Sequence, residues 1–425
     1  MAPGIHMTII VRQLSFNDTS PTQIAKYIYL DQNISNDVYF NTSNGEQLRL
    51  GSSLIFTKCA INIGENVQKC VSNTIRIQYD QECIMTNPAT EPIRVIVAMD
   101  LSDDLIASLQ AVSPRLEITR YEGEVPATAW ANAEVLYTGN QFPLPEQAPR
   151  LRWIQVPSAG MEGVLRNPIG QAEDVVITST SGMHAQQLAN YTWLMILAFN
   201  FRLPEWMADK PKAHWPDRPQ SHYVPVDIDQ QTVGIVGYGS IGREIARLAK
   251  AFGMRVLASK RDIKHPAQRD TDYIQPGIGD PEGDIPERIY PGEAIANMAA
   301  ECDYLAVTLP YTEGTHHVID DSVFEAMKDS GVIINVGRGG VIDEKSMITA
   351  LSSGKIRGAS LDVFEEEPLP SSSPLWQLDN VIISPHVGGS TTRYREKATA
   401  IFAENLKRYV ENRPLINMLD RETGY

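Results

Sequence analysis

The sequence predicts an α/β protein with parallel sheets, divided into more than one domain. Three observations carry this. From Ile93 onward, short β-rich apolar runs alternate with helical segments, the order that builds a parallel sheet. Residues 232–261 (TVGIVGYGSIGREIARLAKAFGMRVLASKR) read as strand, glycine turn, helix and strand. The chain has 425 residues, too many for one ordinary domain.

The glycine turn is the most informative stretch. Gly237, Gly239 and Gly242 stand in the spacing G-x-G-x-x-G, directly after the apolar run Val233, Ile235, Val236. Gly237 permits a tight turn, Gly239 lets the backbone approach a diphosphate, and Gly242 lets helix and strand pack closely. Ile241, Ile245, Leu248, Ala249 and Phe252 recur at helical spacing behind it. Gly253 closes the helix. A diphosphate on that helix N-terminus would meet unpaired N–H groups and the positive end of the helix dipole. In this setting the turn indicates a dinucleotide site.

Composition narrows the classes. Hydrophobic residues make up 43% of the chain, enough for sizeable cores. The net charge of −15 argues against nucleic acid or an anionic membrane as partner. No apolar run approaches the roughly 18 residues of a membrane span. Four cysteines are few for a disulfide framework, so a reducing, cytoplasmic location is expected. Cys59, Cys70 and Cys83 lack C-x-x-C spacing, and no metal site is expected.

Residues 1–84 differ from the rest. They are rich in Asn, Ser, Thr and Gln and show neither a secretory signal nor an Arg-rich presequence. They read as an atypical extension, disordered or joined by a misplaced start ahead of Met85. Residues 93–99 (IRVIVAM) read as a buried strand. Residues 102–109 read as a helix with Ser102 as N-cap and Asp103 and Asp104 in the first turn. Strands follow at 116–119, 135–138, 153–156 and 175–178. The turn Ser158-Ala159-Gly160-Met161 follows one of them and offers backbone N–H groups to an anion.

Residues 186–202 form a long helix, apolar nearly all round, that another domain or subunit must cover. Residues 210–220 read as a polar loop. A proline-rich, irregular loop of about 30 residues follows Arg261. Then come a helix at 293–300, a strand at 304–309 ending at Pro310, and a strand at 332–336. A helix at 345–351, strands at 359–363 and 381–383, and a helix at 391–409 complete the chain. His316 and His317 are placed at a helix start, and His184 and His214 beside the long helix.

Ligands of an open parallel sheet sit beyond the carboxyl ends of its strands. Three of these strands run into Arg338, Glu367 and His386. A guanidinium suits a carboxylate substrate. An imidazole can hand a proton to a carbonyl oxygen as hydride reaches the carbon, and a neighbouring carboxylate favours the imidazolium that does so. This is the set needed for hydride transfer to a 2-oxo acid.

The motifs VGIVGYGSIG, LPYTEGT, INVGRGGVID, LDVFEEEP and SPHVGGST, in that order, resemble those of the D-isomer-specific 2-hydroxyacid dehydrogenases. The 29-residue separation of Arg338 and Glu367 also fits. The resemblance runs from about residue 93 to 415. It implies a Rossmann dinucleotide-binding domain (187–389) inserted into a flavodoxin-like parallel α/β substrate domain (91–186, completed by 390–425). It also implies a homodimer joined through the long helix near Trp193. By motif position, Arg338 would hold the substrate, His386 would be the acid/base and Glu367 its partner. Ser158, Ala159 and Gly160 would form the substrate-carboxylate loop. Ser240 and Ile241 would lie at the diphosphate and Asp362 at the nicotinamide amide, with Pro310, Thr315, Val336 and Gly388 also at the cofactor. Asn190 stands where many members carry glutamate. Glu367, rather than Gln, sets the chain apart from the formate dehydrogenases of the family.

A carboxylate at the end of the second strand selects NAD, and a cation there accommodates the 2′-phosphate of NADP. The family's acid lies 18 residues past the third glycine, and here that residue is Lys260, followed by Arg261. NADP is therefore the expected cofactor, with NAD the other choice. Asp262 stands close enough to serve the ribose in a shifted register. The expected reaction is reduction of a small 2-oxo acid, such as glyoxylate or hydroxypyruvate, to a D-2-hydroxy acid. The alternative is a dinucleotide-sensing binding protein, since the family includes transcriptional corepressors that keep the same catalytic residues.

Overall fold

The structure is a computed structural model that describes residues 91–269 and 271–421, with four short strands nearer the N-terminus. Of these, β1 (Ile9–Ile10) pairs antiparallel with β4 (Thr74–Ile75), and β2 (Val38–Asn41) with β3 (Gln47–Leu50). The reading of 1–84 as an extension otherwise lies outside the described residues, as do Cys59, Cys70 and Cys83.

From Ile93 the chain builds two parallel sheets. The first holds β5 (Ile93–Ala98), β6 (Leu116–Arg120), β7 (Val135–Thr138), β8 (Trp153–Gln155) and β9 (Val176–Thr178). Their spatial order is β6-β5-β7-β8-β9, the flavodoxin order. Between them lie α1 (Asp103–Gln110), α2 (Ala127–Trp130) and α3 (Glu162–Leu165). Ser102 stands at the N-cap of α1, but its side chain makes no capping bond. Asp103 and Asp104 instead meet the helix dipole.

The long helix α4 (Ala185–Asn200) then leads through α5 (Leu203–Asp209) and α6 (Pro219–His222) to the second sheet. That sheet contains β10 (Thr232–Val236), β11 (Arg255–Ser259), β12 (Arg288–Tyr290), β13 (Tyr304–Val307), β14 (Val332–Asn335), β15 (Gly358–Leu361) and β16 (Val381–Ile383). The order is β12-β11-β10-β13-β14-β15-β16, all parallel. It is the Rossmann order with one strand added. Its helices are α7 (Ser240–Ala251), α8 (Ile295–Ala299), α9 (Asp321–Ala326) and α10 (Glu344–Ser352). Apolar clusters cover both faces. One gathers Val236, Leu305, Ile333 and Phe324, and the other gathers Ile235, Ile245, Tyr304 and Ile196 of α4.

After β16 the chain returns to the first sheet as α11 (Tyr394–Val410). Phe402 of that helix stacks near Tyr137 and Trp153, with ring centroids 4.4 and 5.3 Å away. The first sheet therefore draws its core from two stretches of the chain, 93–178 and 394–410, with the second sheet between them in sequence.

Several local expectations need correction. Arg288–Tyr290 is an edge strand, not loop, because three residues suffice to pair with β11. α9, capped by the Asp320 carboxylate, has no counterpart in the sequence reading, and His316 and His317 precede it rather than start it. Phe252 is 44% exposed rather than part of a buried face. Trp193 is buried, edge-on to Phe252 at 4.5 Å, so α4 presents Leu194 outward instead. Among the described residues, no helix is long and apolar enough to cross a membrane.

Candidate active site

The order of the second sheet reverses between β10 and β13, and the loops beyond these strands open a crevice there. A cavity of about 520 Å³ occupies it. Its wall includes Gly239, Ser240 and Ile241 from the glycine turn, Pro310 after β13, and Val336 and Arg338 after β14. Asp362 and His386 follow β15 and β16, and Ser158, Ala159 and Gly160 come from the first sheet. Residues far apart in sequence meet because parallel strands all deliver their C-terminal ends to one edge.

The glycine turn has the shape a dinucleotide needs. Gly237 has φ +101°, a region L side chains rarely enter. A Cβ at Gly242 would lie 2.8 Å from Ile235 Cγ2 and closer still to the Gly237 carbonyl, so helix and strand touch there. At Gly239 nothing lies within 4 Å of a Cβ position, which leaves the backbone open to a ligand. The 12-residue helix α7 begins at Ser240 with its N–H groups at the cavity.

Beyond β15 and β16, His386 Nδ1 and Glu367 Oε2 are 2.7 Å apart. The histidine backbone is left-handed, φ +52°, and its amide donates to the Asp362 carbonyl at 2.9 Å. The Asp362 carboxylate, 1% exposed, accepts from the amides of Val387 and Gly388, each at 2.9 Å, and from the Ser384 hydroxyl at 2.6 Å. Asp362 thus shapes the turn that carries the imidazole, a role its motif position did not suggest. Gly388 serves the same turn, since a Cβ there would meet Asp362 Oδ2 at 2.9 Å.

Arg338 reaches the same cavity, with Nη1 donating to the Gly337 carbonyl at 2.9 Å. Its Nε lies 3.5 Å from the Glu162 carboxylate, a residue the sequence reading missed. His184 also lines the cavity and donates from Nδ1 to the Gly389 carbonyl at 2.9 Å. Burial holds its pKa below the usual histidine value. Tyr394, another missed wall residue, donates to the Pro157 carbonyl at 2.8 Å.

Other expected site residues lie away from the wall. The Thr315 hydroxyl donates to the Pro310 carbonyl at 2.7 Å and supports the turn from behind. Lys260 points its ammonium at the carbonyls of His265, Pro266 and Ala267. Burial, with the Arg243 charge nearby, holds its pKa below the usual lysine value. Arg261 is exposed. Asp262 is engaged by its own turn, accepting from the His265 ring at 2.7 Å and the Lys264 amide at 3.1 Å. Asn190 is exposed on α4. No group of His, Cys, Asp or Glu among the described residues forms a metal cluster.

Comparison with known proteins agrees with this architecture. Residues 193–388 match the family model described as D-isomer specific 2-hydroxyacid dehydrogenase, NAD binding domain. A protein named glyoxylate reductase from Aeropyrum pernix is 31% identical over 65% of this chain and 78% of its own length. A D-isomer specific 2-hydroxyacid dehydrogenase from Xanthobacter autotrophicus, solved with NADPH, covers 78% of this chain and 100% of its own, with a TM-score of 0.63 and 26% identity. An NADPH-dependent glyoxylate/hydroxypyruvate reductase from Sinorhizobium meliloti, solved with NADP and sulfate, covers the same shares at a TM-score of 0.62 and 25% identity. With its sheet orders, its glycine turn and these likenesses, the chain belongs to the D-isomer-specific 2-hydroxyacid dehydrogenase family.

Proposed function

We propose that this protein reduces a small 2-oxo acid, of the size of glyoxylate or hydroxypyruvate, to a D-2-hydroxy acid with NADPH or NADH. The observation that carries the reading is the 2.7 Å contact of His386 with Glu367, in a crevice shared by Arg338 and the glycine turn. The bound nicotinamide supplies the hydride. The Arg338 guanidinium binds the substrate carboxylate, beside the turn formed by Ser158, Ala159 and Gly160. Glu367 fixes His386 through Nδ1, which leaves Nε2 to give a proton to the carbonyl oxygen. In the reverse direction Nε2 takes that proton back. The backbone of Gly239, Ser240 and Ile241 would receive the diphosphate, and Val336, Pro310 and Asp362 would border the nicotinamide.

NADP(H) is the preferred cofactor in this reading. Lys260 and Arg261, not a carboxylate, follow β11; the Lys260 ammonium rests on the His265, Pro266 and Ala267 carbonyls, and Asp262 is occupied by His265. Relatives solved with NADPH and NADP support the same preference. The test is a panel of 2-oxo acids assayed with NADPH and NADH, run beside Lys260→Asp with Arg261→Ala. The double variant should lose its NADPH-over-NADH ratio, and an unchanged ratio would sink the preference. Absence of turnover on every 2-oxo acid, with cofactor-gated peptide binding in its place, would favour a sensor.

A homodimer through α4 and α5 belongs to the same proposal, as does a cytoplasmic location. Leu194 and Met207 are each 57% exposed, and Phe201 and Trp206 are exposed beside them in sequence. Large apolar side chains left in water along one stretch suit a covered surface. Leu194→Asp with Met207→Asp should sediment as a monomer where the unaltered chain sediments as a dimer.

A further inference from the structure

Residues 262–269 and 271–287, between β11 and β12, form a strap rather than a slack connection. Its two feet are held by the glycine-turn helix. Arg243, one residue past the third glycine and 2% exposed, donates from Nη2 to the Pro266 carbonyl and from Nη1 to the Asp280 carbonyl. The Tyr238 hydroxyl donates to the Asp280 carboxylate, which also accepts from the amides of Asp284 and Ile285. The buried Glu244 carboxylate accepts from the Gly279 amide at 2.7 Å. Buried polar groups that are fully partnered in this way hold one geometry.

The far part of the strap is tied elsewhere. The Asn417 amide donates to the Thr271 carbonyl at 2.8 Å, and the Tyr273 amide donates to Asn417 Oδ1 at 2.9 Å. Asn417 Nδ2 in turn donates to the carbonyls of Ser179 and Ser181, after β9 of the first sheet. The strap thus runs from the glycine turn to the substrate side and back. Along the way Gln268, Arg269, Asp272 and Tyr273 line the same cavity as Gly239, Ser240 and Ile241.

We propose that Arg269 is a cofactor-binding residue that contacts the diphosphate from the strap. The inference rests on the glycine turn being the diphosphate seat. A helix N-terminus offers an anion its N–H groups, and a guanidinium completes the charge. Arg243, the arginine nearest that turn in sequence, is spent on strap carbonyls. Arg269 is held only loosely by its neighbour Asp272, at 3.1 Å with side chains 69% and 31% exposed. Lys260 and Arg261 do not line the cavity, whereas Arg269 lines it together with Gly239, Ser240 and Ile241, so the diphosphate seat is the anion site Arg269 shares.

The test is equilibrium binding of NADPH and of NADH, followed by tryptophan quenching or calorimetry, with melting curves to verify folding. Arg269→Gln should weaken both cofactors roughly tenfold and flatten the salt dependence. Arg269→Lys should recover part of the loss. Asp272→Asn should bind as well as the unaltered chain or more tightly, because a competing carboxylate is gone. Three results would overturn the proposal: unchanged binding by Arg269→Gln, a loss confined to NADPH, or an equal loss in Asp272→Asn, which would make the pair merely structural. An unaltered chain that bound neither cofactor would instead sink the dinucleotide reading beneath it.

Discussion

Glu367 Oε2 sits 2.7 Å from His386 Nδ1, although the two residues follow different strands. The pair fixes which ring nitrogen faces the cavity. Glu367→Gln keeps a hydrogen-bonding side chain but replaces the charged acceptor at His386 Nδ1 with a neutral amide. We expect kcat for 2-oxo acid reduction to fall about 10- to 100-fold, with KM for the cofactor unchanged. Steady-state kinetics at saturating NADPH measure this. Full activity would mean that the carboxylate does not assist the proton transfer.

Glu162 stands 3.5 Å from Arg338 Nε, where it would compete with a substrate carboxylate bound by that guanidinium. Glu162→Gln should lower KM for the 2-oxo acid severalfold and leave the cofactor KM alone. Arg338→Lys should do the opposite, because an ammonium cannot bind a carboxylate bidentately. A raised substrate KM in Glu162→Gln would show that Glu162 positions the guanidinium instead.

The glycine turn allows two substitutions to be separated. Gly242→Ala would drive a Cβ to 2.8 Å from Ile235 Cγ2, so it should cost about 1–3 kcal/mol of stability. Gly239→Ala meets nothing within 4 Å and should fold normally. It should nevertheless weaken cofactor binding at least about tenfold, because its methyl would occupy space the ligand needs. Thermal melts and fluorescence titration read the two effects separately.

Asp362 accepts the amides of Val387 and Gly388, so its carboxylate holds the histidine turn together. Asp362→Ala should leave those two donors unsatisfied and cost about 1–3 kcal/mol. It should lower kcat more than it raises the substrate KM. A stable variant with normal kcat would show the turn to be self-supporting.

His184 supplies a pH test. Burial lowers its pKa from the usual 6.5, so the folded chain binds this proton less readily than the unfolded chain. Above that value the group is neutral in both states and contributes no pH dependence. As pH falls from about 6.5 to the lower folded value, the unfolded state gains a proton the folded state lacks, and stability is lost. His184→Gln should therefore flatten the decline in melting temperature across that window. Parallel declines in both proteins would assign the loss to other groups.

Much of this site was legible in the chain because its chemistry sits in short local motifs. The glycine spacing and the motifs that carry Arg338, Glu367 and His386 are contiguous patterns. Parallel topology then obliges strand ends to share one edge, so Arg338, Glu367 and His386 could be grouped without coordinates. Glu162, Tyr394 and Asn417 carried no such mark. Each earns its place through contacts with residues more than 100 positions away, and no periodicity encodes those.

The alternation of strands and helices and the strand, glycine turn and helix at 232–251 were already written in the chain. Local propensity and glycine geometry suffice for these. What Lys260 and Arg243 do was set by folding, since both turn their charges onto carbonyls of the strap. Folding also turned the proline-rich loop into a wall of the site. Prolines specify that a segment avoids helix and sheet, but where it lies depends on distant partners, here Asp280 beneath Tyr238 and Asn417 across the cavity.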